Sequence, residues 1–381
     1  MHFEPLPFRS VLEEYQKQAA ALLEGHRAGD PQALRIIHNE HPRFLDSRIP
    51  WLPKDLTESD LRSAPFDVAD AELAIARCYD FQDWPALAEH VDSVLQDDSP
   101  VHQFEAAVEA VVTGDLKSLS ALLHGNPELT RARSARVTHF DPPVHRATLL
   151  HYIAANGVEG YRQRMPANAV EIARTLLEAG SEVDALADLY GGQCTTLSLL
   201  VSSGHPAQAG LQIALAEVLL EFGASVETCG AAQWGTPLMT ALAFGYRDAA
   251  EALVRHGARV DSVAAAAGLG RLDETAQMLA GASPEARHRA LALAVQHGHL
   301  EVVRLLLDAG EDPNRLNPEG NHAHSTPLHQ AALAGHEPVV RLLVERGARL
   351  DIKDIIYQAT PLGWAQYAGQ AAIVVYLGPL E

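Results

Sequence analysis

Only four of the 29 basic residues in this 381-residue chain are lysines (Lys17, Lys54, Lys117 and Lys353), and the arginines are scattered with no basic block. Against 49 acidic residues this leaves a formal charge of -20, which repels a phosphate backbone unless the cations gather on one face. Nucleic acid and anionic membrane surfaces are therefore not expected partners. Cysteine is scarce too. Cys78, Cys194 and Cys229 lie far apart, form no CxxC pair and leave one over if any two are joined, the pattern of free thiols in a reducing compartment. No apolar run approaches the ~18 residues that would suggest a membrane span. The opening MHFEPLPFRS lacks a basic segment followed by an apolar one, so the reading is a soluble, cytoplasmic protein.

Catalytic signatures are equally thin. There is no GxSxG, no P-loop and no GxGxxG after a strand, and Gly191-Gly192 marks a turn rather than a phosphate cradle. Cys194 and His205 are too loosely spaced to be read as a nucleophile and its base. No cofactor is expected. Aromatic residues make up 6% of the chain while Leu and Ala dominate its apolar set, which favours packed helices over strands and gives an all-α expectation.

What the chain does have is repetition. Residues 326–347 read TPLHQAALAGHEPVVRLLVERG, and 34 residues after Thr326 a second copy opens at Thr360 with TPLGWAQYAGQAAIVVYL. Each part has a mechanical reason. Thr caps a first helix, Pro fits its first turn where no amide is needed, and Gly ends it with a positive φ. The apolar VVxLL stripe of a second helix then packs on the next unit. Related units lie upstream: RALALAVQHGHLEVVRLLLDAG from Arg289, TPLMTALAFGYRDAAEALVRHGA from Thr236, TTLSLLVSSGHP from Thr195 and TLLHYIAANGVEG from Thr148. AAAAGLGRLDETAQMLAG from Ala264 is a shortened unit, and VEAVVTGDLKSLSALLHGNPEL from Val108 a degenerate one.

These phrases resemble the ankyrin-repeat family over roughly residues 100 to 377, most closely at Thr326–Gly347. The resemblance implies a solenoid of helix-turn-helix repeats with finger loops, about seven to eight units in residues 100–381, with inserts near 131–147, 158–169 and 205–213. Residues 1–99, with helix pairs at Ala19–Pro42 and Asp70–Val91, are expected to form a degenerate helical N-terminal cap. That region is similar to a segment preceding the repeats in many bacterial ankyrin proteins. LYGGQCTTLSLLVSSGHPAQAG, NPEGNHAHSTPLHQA and DIIYQATPLGWA together resemble a recurring bacterial type that brings no activity with it.

In this family partners are gripped by the loops and by the exposed side of each first helix, which implies a protein-binding scaffold or adaptor. Three loops here carry an aromatic residue just before the next unit: Tyr190, Trp234 and Tyr357. Such side chains offer large contact area at little rotamer cost. With His322, His324 and Trp364 they are the expected partner contacts, and His151, Ser198, Ser202, Met239, His329, Trp364 and Tyr367 the expected first-helix positions facing the groove. The alternative is a small-molecule binder or enzyme in which His145, His151, Tyr190, His324 and His329 line a pocket, because imidazole exchanges protons near neutral pH. The family's TPLH histidine bonds backbone and bridges units, which favours structural roles for His151 and His329. A metal at GNHAHSTPLH is set aside, because no Asp or Glu stands among those histidines at helical spacing. Many of the 19 histidines are expected at the surface.

Overall fold

A computed structural model describes residues 3–228 and 235–380, so Cys229 and the expected contact Trp234 lie outside the described residues. The chain divides into two compact units, Met1–Ala224 and Ser225–Glu381.

In the second unit the helices come in pairs: α12 (Pro237–Ala243) with α13 (Arg247–Arg255), α14 (Val263–Gly268) with α15 (Leu272–Leu279), and α16 (Pro284–Gln296) with α17 (Leu300–Asp308). The last two pairs are α18 (Pro327–Ala334) with α19 (Glu337–Glu345) and α20 (Pro361–Tyr367) with α21 (Ala371–Leu377). First helices α14, α16, α18 and α20 pack in one row and second helices α15, α17, α19 and α21 in another. Between the rows lies an aliphatic core that includes Leu291, Val303, Leu306, Leu328, Val340 and Leu343, all nearly inaccessible. Each such side chain contributes roughly 1.5–3 kcal/mol on burial. Thr236, Thr326 and Thr360 sit at N-caps with Pro at the first turn, as expected. For α16 the start is supplied by Ser283 and Pro284 instead, so that helix begins well before Arg289, where the repeat pattern becomes legible.

Glycine at each first-helix turn does more than reverse the chain. Gly270, Gly298 and Gly335 have φ of 74°, 74° and 79°. The next unit sends a polar side chain into the space a Cβ would fill: His299 against Gly270, His336 against Gly298 and Gln370 against Gly335. There His299 Nε2 donates to the Gly268 carbonyl (2.9 Å), His336 Nε2 to Gln296 (3.0 Å) and Gln370 Nε2 to Leu333 (3.1 Å). Each bond satisfies a helix-end carbonyl two residues before the glycine. Many histidines are expected at the surface; His124, His205, His256 and His322 are exposed, while His26, His41, His151, His288 and His329 are buried and His297, His299 and His336 bridge units.

The first unit opens with α1 (Leu12–Ala28), α2 (Pro31–Glu40), α3 (Glu58–Ser63), α4 (Val68–Cys78) and α5 (Trp84–Val94). They enclose their own core, in which Tyr15 and Tyr79 meet edge to face at 5.0 Å. Paired elements follow: α6 (Pro100–Thr113) with α7 (Leu116–Gly125), a 3₁₀ helix Leu149–Ala154 with α8 (Ala169–Glu178), and α9 (Thr196–Leu200) with α11 (Gln212–Glu221), α10 (Gly204–Gln208) lying between the last two. The expected first helix after Thr148 is thus a 3₁₀ turn, stopped at Ala155, which takes φ 46°. The all-helical expectation also misses a small antiparallel hairpin, β1 (Ala187–Leu189) and β2 (Gly192–Cys194). Its turn places Tyr190 and Gly191 at φ 54° and 75°, the doubly left-handed geometry that suits a two-residue hairpin.

Candidate partner-binding surface

The loop joining α19 to α20 is organised by one carboxylate. Asp354 is fully buried, and its oxygens accept from the backbone amides of Ile356 (2.9 Å), Tyr357 (2.6 Å) and Ala359 (3.0 Å) and from the indole Nε1 of Trp364 (3.0 Å). Burial alone would raise its pKa, but the bonds from Tyr357 and Trp364 outweigh that and hold the carboxyl below its ordinary value. The fixed turn presents Ile355 and Tyr357, each 58% exposed. Trp364, expected as a contact, is 8% exposed and supports this loop from beneath.

The preceding loop is tied to it. The Ile355 amide donates to the His324 carbonyl at 2.8 Å, and the His324 ring lies 5.7 Å from Trp364 and 6.2 Å from Tyr357. His322, with φ 60°, is exposed beside it at 6.1 Å. His322, His324 and Tyr357 therefore stand together on a prearranged surface, with Trp364 at its base.

Other candidates have different duties. His329 Nδ1 accepts from the Thr326 amide at 3.2 Å, which leaves Nε2–H to donate to Ala359 at 3.1 Å. His151 repeats the arrangement with the Thr148 amide (3.1 Å) and the Cys194 carbonyl (3.2 Å). Both rings are fully buried, both ring nitrogens are engaged, and burial lowers the His151 pKa to about 4. His145 is half-buried, 3.4 Å from the Thr138 hydroxyl. Tyr190 is 45% exposed and its hydroxyl donates to Asn156 Oδ1 at 2.7 Å. Ser198 is buried, Ser202 and Met239 are half-buried, and Tyr367 is 90% exposed. Among the described residues no cluster of three or more His, Cys, Asp or Glu could hold a metal. No described helix is long and apolar enough to cross a membrane.

A second polar assembly went unforeseen. Glu105, on the buried face of α6, meets Arg162 at 2.5 Å and Arg136 at 3.7 Å, and Glu159 lies 3.6 Å from Arg136 and 3.8 Å from Arg162. All four side chains are at least nine-tenths buried. Burial pushes the Glu105 carboxyl upward, yet the two guanidiniums overcome it and bring the pKa down to about 2. The one sequence signal was an acid inside the apolar stripe of FEAAVEAVV; its partners come from the segments read as inserts.

Residues 262–354 and 291–379 match a family model described as ankyrin repeats (3 copies). Similar curated proteins include ankyrin repeat and SAM domain-containing protein 6 of Mus musculus, 40% identical over 93 residues, covering 24% of this chain and 10% of that protein. Cyclin-dependent kinase inhibitor 2A of Monodelphis domestica is 32% identical over 116 residues, covering 29% of this chain and 66% of that protein. The chain spans about a tenth of the length of the first of these relatives and of its rat counterpart. Among solved structures, the human ASB11 ankyrin repeat domain is 22% identical, with 71% of this chain and 96% of that one covered and a TM-score of 0.36. Capped helix pairs, glycine turns and the family match lead to one assignment: residues 262–379 of the chain are ankyrin repeats.

Proposed function

We propose that the protein is an adaptor that binds a protein partner through its loops, with His322, His324 and Tyr357 as principal contacts, Ile355 beside them and Tyr190 as a further contact on the first unit. The observation that carries this reading is the pair of coupled loops around Asp354, which exposes apolar and aromatic side chains on a backbone already fixed. Preorganisation lowers the ordering cost of association. A cytoplasmic protein partner accords with the charge of -20, which disfavours nucleic acid and anionic membranes. The alternative of a His/Tyr-lined catalytic pocket has less behind it, since His151 and His329 use both ring nitrogens within the fold.

Photo-crosslinking tests the proposal. Benzoylphenylalanine in place of Tyr357 is expected to give a discrete adduct in the native lysate that Ile355→Asp abolishes. The same probe in place of Arg304, on the second-helix row, is expected to give none. Identical adducts from both positions would refute the loop surface.

A further inference from the structure

Between α5, α6 and the segment 132–137 lies a cavity of about 430 Å³, within the range of roughly 300–1,000 Å³ in which ligand sites fall. Its apolar walls include Phe81, Val101 and Phe104, and its polar lining includes His90, Glu105 and Arg136. Arg136 is 6% exposed and its guanidinium lies 4.3 Å from the centre of the Phe81 ring. Its own contacts are long: 3.5 Å to the Tyr79 carbonyl, 3.5 Å to His90 Nε2 and 3.6–3.7 Å to Glu159 and Glu105. Nε makes no hydrogen bond at all. Nε faces the Glu105 carboxylate and is closed off from the cavity, so the donors left for a ligand are on the two terminal nitrogens, each held only by a long contact.

His90 adds a second donor. His90 Nε2 lies 3.5 Å from a terminal nitrogen of Arg136 and 3.8 Å from Glu105 Oε1. A guanidinium can only donate and the carboxylate is beyond hydrogen-bond range, so Nε2 accepts and the proton of the neutral ring sits on Nδ1. Burial, reinforced by Arg136, lowers the His90 pKa to about 3, which keeps the ring neutral. No described residue accepts from Nδ1. Charge then decides what the donors suit. Arg136 and Arg162 are already balanced by Glu105 and Glu159, and the other two charged lining residues, Glu89 and Arg133, are of opposite sign, so the cavity holds no excess charge for an entering carboxylate or cation to neutralise.

We infer that this cavity is a binding site for a small, uncharged, largely apolar molecule bearing a carbonyl oxygen, which accepts from Arg136 and His90 while its apolar part lies against Phe81, Val101 and Phe104. The site lies wholly in the first unit and is separate from the loop surface proposed for a protein partner.

Calorimetric titration of the full chain with 4-phenyl-2-butanone is the test, with 4-phenylbutyrate as the charged counterpart. Saturable one-to-one binding of the ketone is expected, at least about tenfold tighter than the carboxylate, a difference of roughly 1.4 kcal/mol. His90→Phe, which keeps a ring and deletes the donor, should weaken ketone binding about tenfold. Val101→Trp, which fills the half-buried wall, should abolish it; circular dichroism checks the fold, and Ala86→Leu fills the same wall should that variant unfold. Absence of saturable ketone binding, equal or tighter binding of the carboxylate, or undiminished binding in a folded cavity-filled variant would each overturn the inference.

Discussion

The two units solve the same packing problem with opposite chemistry. In Ser225–Glu381 the interior between helix rows is built largely of Ala, Val and Leu, and at the helix ends histidines and a glutamine satisfy carbonyls of the preceding unit. In Met1–Ala224 two glutamates and two arginines sit in the interior, and the irregular segments 131–147 and 158–169 deliver the arginines. A repeat stack tolerates inserts when they bring a neutralising partner. Aliphatic cores follow from periodicity, whereas a buried charge network depends on groups far apart in sequence and is exposed to the loss of any one member.

The largest effect that would sharpen this contrast is expected from Glu105→Leu, which strands Arg136 and Arg162 without their shared acid. A loss of about 3–5 kcal/mol is expected, read in urea unfolding and, by hydrogen exchange, as deprotection centred on α5 and α6. Protection there equal to the parent would show that the network is dispensable. In the second unit Leu306→Ala, at a fully buried site, should cost about 3 kcal/mol by leaving a cavity, with deprotection centred on α15, α17 and α19. A loss below about 1 kcal/mol would mean that this core collapses easily around a void.

Acid should weaken both units. Burial depresses the pKa of His151 in the first and His297 in the second from 6.5 to about 4. A depressed base binds fewer protons folded than unfolded, so its contribution is intact above 6.5 and is lost as pH falls toward 4. At about pH 5 each site should have lost on the order of 2 kcal/mol. Asp80 in the first unit runs the other way. Burial raises it from 3.8 to about 7, so its contribution is present in acid and fades as pH rises through that range. It offsets His151, and the net loss in the first unit comes from His90 and His139, which burial lowers to about 3 and about 4. Urea midpoints at pH values from about 7.5 down to 5 should fall, and a flat profile would contradict the buried neutral histidines.

The smallest effect discriminates between two glycines of the second unit. Gly310 has φ 91° and open space around it, while a Cβ on Gly298 would meet His336 Nδ1 at 2.7 Å. Gly310→Ala should cost about 1 kcal/mol from backbone strain alone. Gly298→Ala should add the loss of the His336 bond, about another 1 kcal/mol. Equal thermal shifts for the two variants would remove the ladder from the account of how units join.

Much of this was legible in the chain. TPLH at Thr326 and TPL at Thr360 fixed caps, turns and helix pairs because each residue there acts on its immediate neighbours. Structural duties for His151 and His329 were readable for the same reason, since the Thr and His of each cap are three residues apart. The loop surface was half legible. Tyr357 and His324 were visible as candidates, but Trp364 looked like a contact and proves to be the prop of Asp354, a residue without any sequence signal. The charged interior of the first unit was hidden, since Glu105 meets Arg136 and Arg162 only after intervening helices have folded.

By itself, then, the sequence determined the helical repeats, their caps and their glycine turns, because these depend on side chains within a few positions of the backbone they serve. Tertiary structure alone decided which polar residues are exposed, which are neutralised in the interior and where a cavity remains. Burial and ion pairing depend on distances between segments that no local pattern encodes.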